Sequence, residues 1–174
     1  MLKKSKQISA RDTILYNNIL SLSRNKLFYT KFELNDTFQN RIHLIFIHIS
    51  FLFIKTKQDH QVKTYKIFYQ NVFDLIFRMI EQDMRELGYG DVTVNKNMKI
   101  LVKTFYDILL NCENYTKKNT SLKNMFFSKY LDLNKTKKDA NYPSIIRYFD
   151  KFQAFCFDLT PDSVLSGELN FKYK

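Results

Sequence analysis

The sequence predicts an all-α protein, a single helical domain of about six or seven helices around an aromatic-rich core. Three observations lead there. The 174 residues include only three Gly and two Pro, too few for the many tight turns of a sandwich or barrel. Seventeen Phe and 11 Tyr, with no Trp, in a chain that is 45% hydrophobic supply a core of single-ring aromatics alongside Ile and Leu. Apolar residues recur in steps of three or four over long stretches, the period of a helix and not of a strand. A compact domain of this length hides roughly 70% of the surface its unfolded chain exposes, so a sizeable core is available. No repeat, linker or low-complexity tract divides 1–174, and residues 1–8 are expected to be flexible.

The first helix is expected from Ser9 to Ser23. Ser9 would be the N-cap, Asp12 the third-position carboxylate of a capping box, and Ile14, Leu15, Ile19 and Leu22 the inner face. Residues 24–40 read as loop with room for a short helix; they hold Phe28-Tyr29 and the turn-forming Asn35-Asp36-Thr37. A second helix, Thr37 to Lys57, contains the longest apolar run, 13 residues from Ile42 to Ile54. A membrane span needs about 20. This run is therefore read as a helix buried inside the domain, the alternative being a segment on a membrane surface or in a partner's groove.

A turn at 58–60 precedes a long helical pattern from Gln61 to Leu87, with its stripe at Val62, Tyr65, Tyr69, Val72, Ile76, Ile80, Met84 and Leu87. Asp74 with Arg78 and Glu81 with Arg85 are acid-first i,i+4 pairs. Gly88 closes this helix as the left-handed residue past its end. The next pattern runs through Val94, Met98, Leu101, Phe105, Ile108 and Cys112, and its opposite face carries Lys96, Lys99 and Lys103 as a basic stripe. Such a stripe is either a solvated face or a contact for an anionic partner. A helix over Ser121–Leu131 follows, capped by Thr120, with Leu122, Met125, Phe126 and Phe127 inside. After a charged loop at 134–139, a helix should run from Pro143 to Leu159, packing Ile146, Phe149, Phe152, Phe155 and Cys156. Thr160-Pro161-Asp162 starts a short last helix and Gly167 ends it.

The formal charge of +11 is compatible with nucleic acid or an acidic lipid surface as partner. It is equally what an adenine-thymine bias in the coding DNA would produce, because Lys, Asn, Ile, Phe and Tyr are abundant together. Cys112 and Cys156 lie 44 positions apart, without zinc-site spacing or enough partners for a disulfide scaffold, so buried free thiols are expected. The start of the chain lacks an export signal and an Arg-rich presequence. A reducing compartment follows, the bacterial cytoplasm ahead of an organellar matrix.

Catalytic apparatus is not evident. His43 and His48 would point about 140° apart on a helix, so they do not converge on one metal; with His60 they read as satisfied or exposed side chains. No Gly lies in a phosphate-cradling loop or nucleophile elbow. The carboxylates Glu81, Asp83, Glu86 and Asp91 alternate with Arg78 and Arg85, as helix-surface ion pairs do. No nucleic-acid-binding motif accompanies the lysines. A non-enzymatic binding protein without cofactor or small-molecule substrate is the reading.

The segment Met84-Arg85-Glu86-Leu87-Gly88-Tyr89-Gly90-Asp91-Val92-Thr93-Val94-Asn95-Lys96-Asn97-Met98-Lys99, followed by Phe105-Tyr106, resembles the signature of the ubiquinol-cytochrome c chaperone family. Leu15-Tyr16, Arg24, Phe28-Tyr29, Asp36-Thr37, Arg41 and His48 fall in the order seen in bacterial members, and Gly167-Glu168-Leu169 with Phe171 is similar to their tail. Three places depart from the pattern: Asp107-Ile108 where Gly-Arg is common, Asn40 where Gly is common, and Ser128-Lys129 where Arg-Asn is expected. The resemblance implies an all-helical assembly factor for cytochrome b, bound to it or its nascent chain during biogenesis of ubiquinol-cytochrome c reductase. It also implies contact with the ribosome, the inner-membrane surface and a small partner protein. On this reading the protein is cytoplasmic and peripheral to the inner membrane, the mitochondrial matrix being the alternative. Arg85, Glu86, Gly88, Gly90 and Asp91 would fix a turn between two long helices or touch a partner. A basic ribosome- or RNA-binding module without cytochrome b specificity is the competing reading.

Overall fold

The structure, a computed structural model, describes residues 10–57, 62–133 and 142–173. Within them lie six long helices and two short ones: α1 (Ala10–Ser23), α2 (Leu27–Thr30), α3 (Phe38–Lys57), α4 (Val62–Glu86), α5 (Asp91–Glu113), α6 (Thr120–Tyr130), α7 (Tyr142–Asp158) and α8 (Pro161–Ser166). A 3-10 turn at Tyr115–Lys117 follows α5. The expected cap at Ser9, flexible start at 1–8, turn at 58–60 and charged loop at 134–139 fall outside the described residues.

The centre of the fold is α3. Every residue from Ile42 to Ile54 is buried, because α1, α4, α5, α7 and α8 all pack against this helix. Its rings go two ways. Phe46 meets Phe77 and Phe105 at centroid distances of 5.5 and 5.3 Å on the α4–α5 side. On the α7 side His48 sits 4.7 Å from Phe152 and 5.0 Å from Phe149. Ring pairs of this kind, edge-on at Phe46–Phe105 and His48–Phe152 and stacked at Phe46–Phe77, add to the roughly 1.5–3 kcal/mol that burial of each large apolar side chain contributes.

Both described histidines of α3 are neutral and bonded. A carbonyl can only accept, so His48 Nδ1 donates to Leu44 O (2.7 Å) and Nε2 accepts from the Tyr148 hydroxyl (2.9 Å). Likewise His43 Nδ1 donates to Tyr130 O, and the Gln39 amide donates to its Nε2 (2.8 Å). Burial lowers both pKa values, that of His48 to about 4. Cys112 and Cys156 are buried free thiols pushed upward by burial.

The cap of α3 is Thr37, whose hydroxyl accepts from Asn40 N–H (3.1 Å). Buried Asn40 then ties α3 to the strand-like segment after α6. Its amide donates to Asn35 O and Asp132 O, both at 2.8 Å, and accepts from Asp132 N–H at 2.9 Å. An antiparallel bridge between Leu34 and Leu133 completes this tie.

Several side chains differ from expectation. The inner stripe of α1 is Asp12, Leu15, Tyr16, Ile19 and Ser23, leaving Ile14 exposed and Leu22 only part-buried. Two polar members had hidden that stripe from a hydropathy pattern. Asn119, not Thr120, caps α6 by accepting from Leu122 N–H (2.9 Å). In α6, Phe126, Phe127 and Tyr130 turn inward, while Leu122 and Met125 are exposed. Phe127 stacks on Phe149 of α7, Phe126 meets Tyr115, and Tyr130 reaches His43 of α3 and Asp107 of α5. Asp74 accepts from Gln70 (2.7 Å) and not from Arg78, whereas the Glu81–Arg85 pair forms.

Candidate functional site

Between α1, the start of α3 and the end of α4 lies an open groove of about 260 Å³. Its floor is Tyr16, Leu20, Phe38, Ile42, Ile45 and Ile80; Arg24, Arg41, Asp83 and Glu86 stand at its rim beside Leu87. A second hollow of about 130 Å³ shares Phe38 and Ile42 and continues past Met84 to Tyr89, Asn97, Ile100 and Leu101. The two hollows together pass beneath the α4–α5 turn.

The rim has an ordered charge pattern. Arg41 donates twice to Asp36, Nε to Oδ1 at 2.6 Å and Nη2 to Oδ2 at 2.8 Å. That bond holds the Asp36 carboxyl below its ordinary range and raises Arg41. Arg41 also lies over the Tyr29 ring, 6.0 Å from its centroid. Burial raises Asp83, and the nearby Arg24 charge partly offsets it. Tyr16 is raised by burial and by the Asp83 charge. Glu86 accepts from the Gln82 amide (2.9 Å).

The turn beside the groove is built from the motif residues. Tyr89 N–H bonds Met84 O (3.1 Å) and Gly88 N–H bonds Arg85 O (3.0 Å), the paired bonds of a Schellman ending. Gly88 has φ +87, a left-handed conformation that favours glycine. Gly90 sits at the N-cap of α5 with φ −70 and open space where a Cβ would go. Across the turn, the Arg85 guanidinium bonds both Glu81 and Asp91, and Asp91 opens α5, where a carboxylate suits the helix dipole. Phe105 is core and Tyr106 is half-exposed beside Phe73.

The structure therefore separates the candidate residues. Tyr16, Arg24, Arg41 and Glu86 meet at the groove, with Asp36 behind Arg41. Thr37 caps α3, and His48 is a core residue remote from the groove lining. Lys96, Lys99 and Lys103 occupy the outward face of α5. Sequence reasoning read Asp83 only as a helix-surface ion-pairing carboxylate and did not single out the apolar floor as a groove. One signal existed: Asp83 continues the Ile76–Ile80 spacing, so a carboxylate stands in the inward stripe of α4. Among the described residues, no three His, Cys, Asp or Glu side chains could hold a metal ion.

Comparison with known families matches residues 30–154 to Ubiquinol-cytochrome C chaperone. The chain belongs to this family. The match takes in the Asp36–Arg41 pair, the α4–α5 turn and the lysine stripe, and leaves out Tyr16 and Arg24 of the groove. The crystal structure of the Cbp3 homolog from Brucella abortus superposes on the chaperone with a TM-score of 0.77, at 20% identity, over 98% of this chain and 93% of that one. At that identity the likeness speaks to the fold, and it extends the shared fold to α1 and α8. Among curated proteins no sequence matches the chaperone. No helix of its described residues is long and apolar enough to cross a membrane.

Proposed function

We propose that this chaperone acts without catalysis, holding an apolar segment of cytochrome b, or of its nascent chain, during assembly of ubiquinol-cytochrome c reductase. One observation carries the reading. Tyr16, Arg24, Arg41 and Glu86 come from α1, the residue just after it, α3 and α4, and lie as far as 70 positions apart in sequence, yet they surround one groove with an apolar floor. Its volume, about 260 Å³, is below the roughly 300–1,000 Å³ of most small-molecule sites. An open apolar floor suits a few side chains of a helical client, as in helix-in-groove recognition. Arg24 and Arg41 on one wall and Asp83 and Glu86 on the other would orient polar groups at the end of that segment. The protein then works as a peripheral protein on the cytoplasmic face of the inner membrane, or on the matrix face if it is mitochondrial. A ribosome and a small partner protein are the further contacts this reading expects.

The test places a photo-crosslinking residue at Leu87, exposed at the rim, with Lys66 on the outer face of α4 as control. Cytochrome b should be captured from position 87 and not from position 66. Normal cytochrome b haem spectra and intact reductase in a strain lacking the gene would refute the assembly role. The competing RNA-binding module predicts steeply salt-dependent RNA association and no capture of cytochrome b.

A further inference from the structure

We propose that the outward face of α5 is a docking surface for an anionic phospholipid bilayer. At 100° per residue, seven residues, Val92, Lys96, Lys99, Ile100, Lys103, Tyr106 and Leu110, share an arc of about 120° over about 27 Å of helix with the part-buried Asp107. All seven are exposed. Val92 is 84% exposed, Leu110 62%, Ile100 52% and Tyr106 46%. The opposite face of α5, through Val94, Leu101, Phe105, Ile108 and Cys112, is locked into the core. This helix can therefore meet a flat partner only with the mixed apolar and basic side.

Among the described residues, the lysines on that side form no ion pair. The three carboxylates of α5 are Asp91, Asp107 and Glu113, and each is matched by a cation from another helix. Arg85 pairs with Asp91, Lys129 with Asp107 at 2.5 Å, and Lys57 with Glu113 at 2.7 Å. Among the described residues, no carboxylate pairs with Lys96, Lys99 or Lys103. The helix thus presents three positive charges that its own acids do not cancel.

The chemistry between the lysines selects the partner. RNA surfaces use Arg and stacking rings, whereas this stripe has no Arg and one ring, and its other members are aliphatic. Aliphatic side chains interleaved with lysines fit the bilayer interface, where apolar groups enter the acyl boundary and ammonium groups stay at headgroup phosphates. The stripe starts at the same α4–α5 turn that borders the groove, so docking would bring the groove to the membrane edge. The inference deepens the membrane-proximal part of the proposed function and rests on it.

The test uses the full chain and sedimentation with vesicles of phosphatidylcholine alone or with about one-third phosphatidylglycerol. Each lysine near an anionic surface contributes about fivefold, so K96Q/K99Q/K103Q should weaken binding to the anionic vesicles by about 100-fold. V92S/L110S should weaken it less, at unchanged salt dependence. Far-ultraviolet circular dichroism verifies the fold of both variants, whose changed side chains are all exposed. Wild-type protein that ignores anionic vesicles, or a lysine variant that binds them equally, overturns the proposal. So does RNA binding that the lysine variant loses while vesicle binding stays unchanged. The vesicles contain no cytochrome b; crosslinking from Leu87 that persists without vesicle binding would reject the lipid surface alone and leave the client groove standing.

Discussion

Lowering the pH from 7 to 4.5 should destabilise this protein through His48. The ring is fully buried between α3 and α7, its Nδ1–H committed to Leu44 O and its Nε2 to the Tyr148 hydroxyl. A second proton on Nε2 would face the desolvation cost of a buried charge, and burial takes the pKa from 6.5 to about 4. The unfolded chain binds that proton more tightly, so the contribution is complete above pH 6.5 and is lost as pH falls from 6.5 towards 4. Each tenfold difference in proton affinity is about 1.4 kcal/mol, so the whole window amounts to about 3 kcal/mol. Urea unfolding followed by circular dichroism at half-unit steps measures it, with His48→Gln as the comparison. Gln keeps an acceptor for Tyr148 and has no proton to gain. The variant should be less stable at pH 7 by about 1–3 kcal/mol but lose clearly less than wild type between pH 6.5 and 4.5. Parallel losses in the two proteins would refute the linkage, as would a histidine ring resonance showing His48 charged at pH 5.5.

Alanine at the three glycines should give a graded series in thermal unfolding. Gly90→Ala should stay within about 0.5 kcal/mol of wild type, since its φ is −70 and its Cβ site is open. Gly88→Ala should cost about 1 kcal/mol from its left-handed φ alone. Gly167→Ala should cost most, because a Cβ there would lie 2.8 Å from Leu15 N and 2.9 Å from Arg11 O in addition to φ +77. Asn40→Ala should lower stability by about 1–3 kcal/mol through the lost bonds to Asn35 and Asp132, measured by urea midpoint. Phe149→Ala, emptying a site where α3, α6 and α7 meet, should cost about 3–5 kcal/mol by the same assay.

What could be read from the sequence was what a single helix decides for itself. The αL endings at Gly88 and Gly167, the Pro161 start and the all-round apolar run of α3 are local chemistry, and the structure has them where the residues place them. The choice of inner face was fully legible only when the stripe was purely apolar, as in α5. It was half legible in α1, where Leu15 and Ile19 are inside but Asp12 and Ser23 complete the stripe, and in α6, where Phe126 and Phe127 are inside but Leu122 and Met125 are exposed. The groove was least legible. Its walls belong to residues 16–24, 38–45 and 80–87, and no periodicity within one helix reports that three helices leave a gap. Only the resemblance had set Tyr16, Arg24, Arg41 and Glu86 in one group, without saying that they are neighbours.

The departures from the family pattern show why charge must be counted on surfaces and not along helices. Asp107 stands where the resemblance leads one to expect Gly, and Lys129 where it leads one to expect Asn. In three dimensions these two meet: Lys129 donates to Asp107 Oδ2 at 2.5 Å, and the Tyr130 hydroxyl donates to the same oxygen at 2.7 Å. Both bonds hold Asp107 below the ordinary carboxylate range. A half-exposed pair of this kind adds little stability, at most about 1 kcal/mol. Its effect on the field is larger in kind. An acid placed four residues after Lys103 would blunt the basic stripe if it stood alone, and the cation supplied by α6 offsets that effect. Asn40 shows the same logic with dipoles: the side chain that replaces a Gly supplies an amide whose bonds are satisfied by Asn35 and Asp132. Each departure read as a local anomaly becomes one half of a contact, and the outward charge of α5 remains that of three lysines that form no ion pair among the described residues.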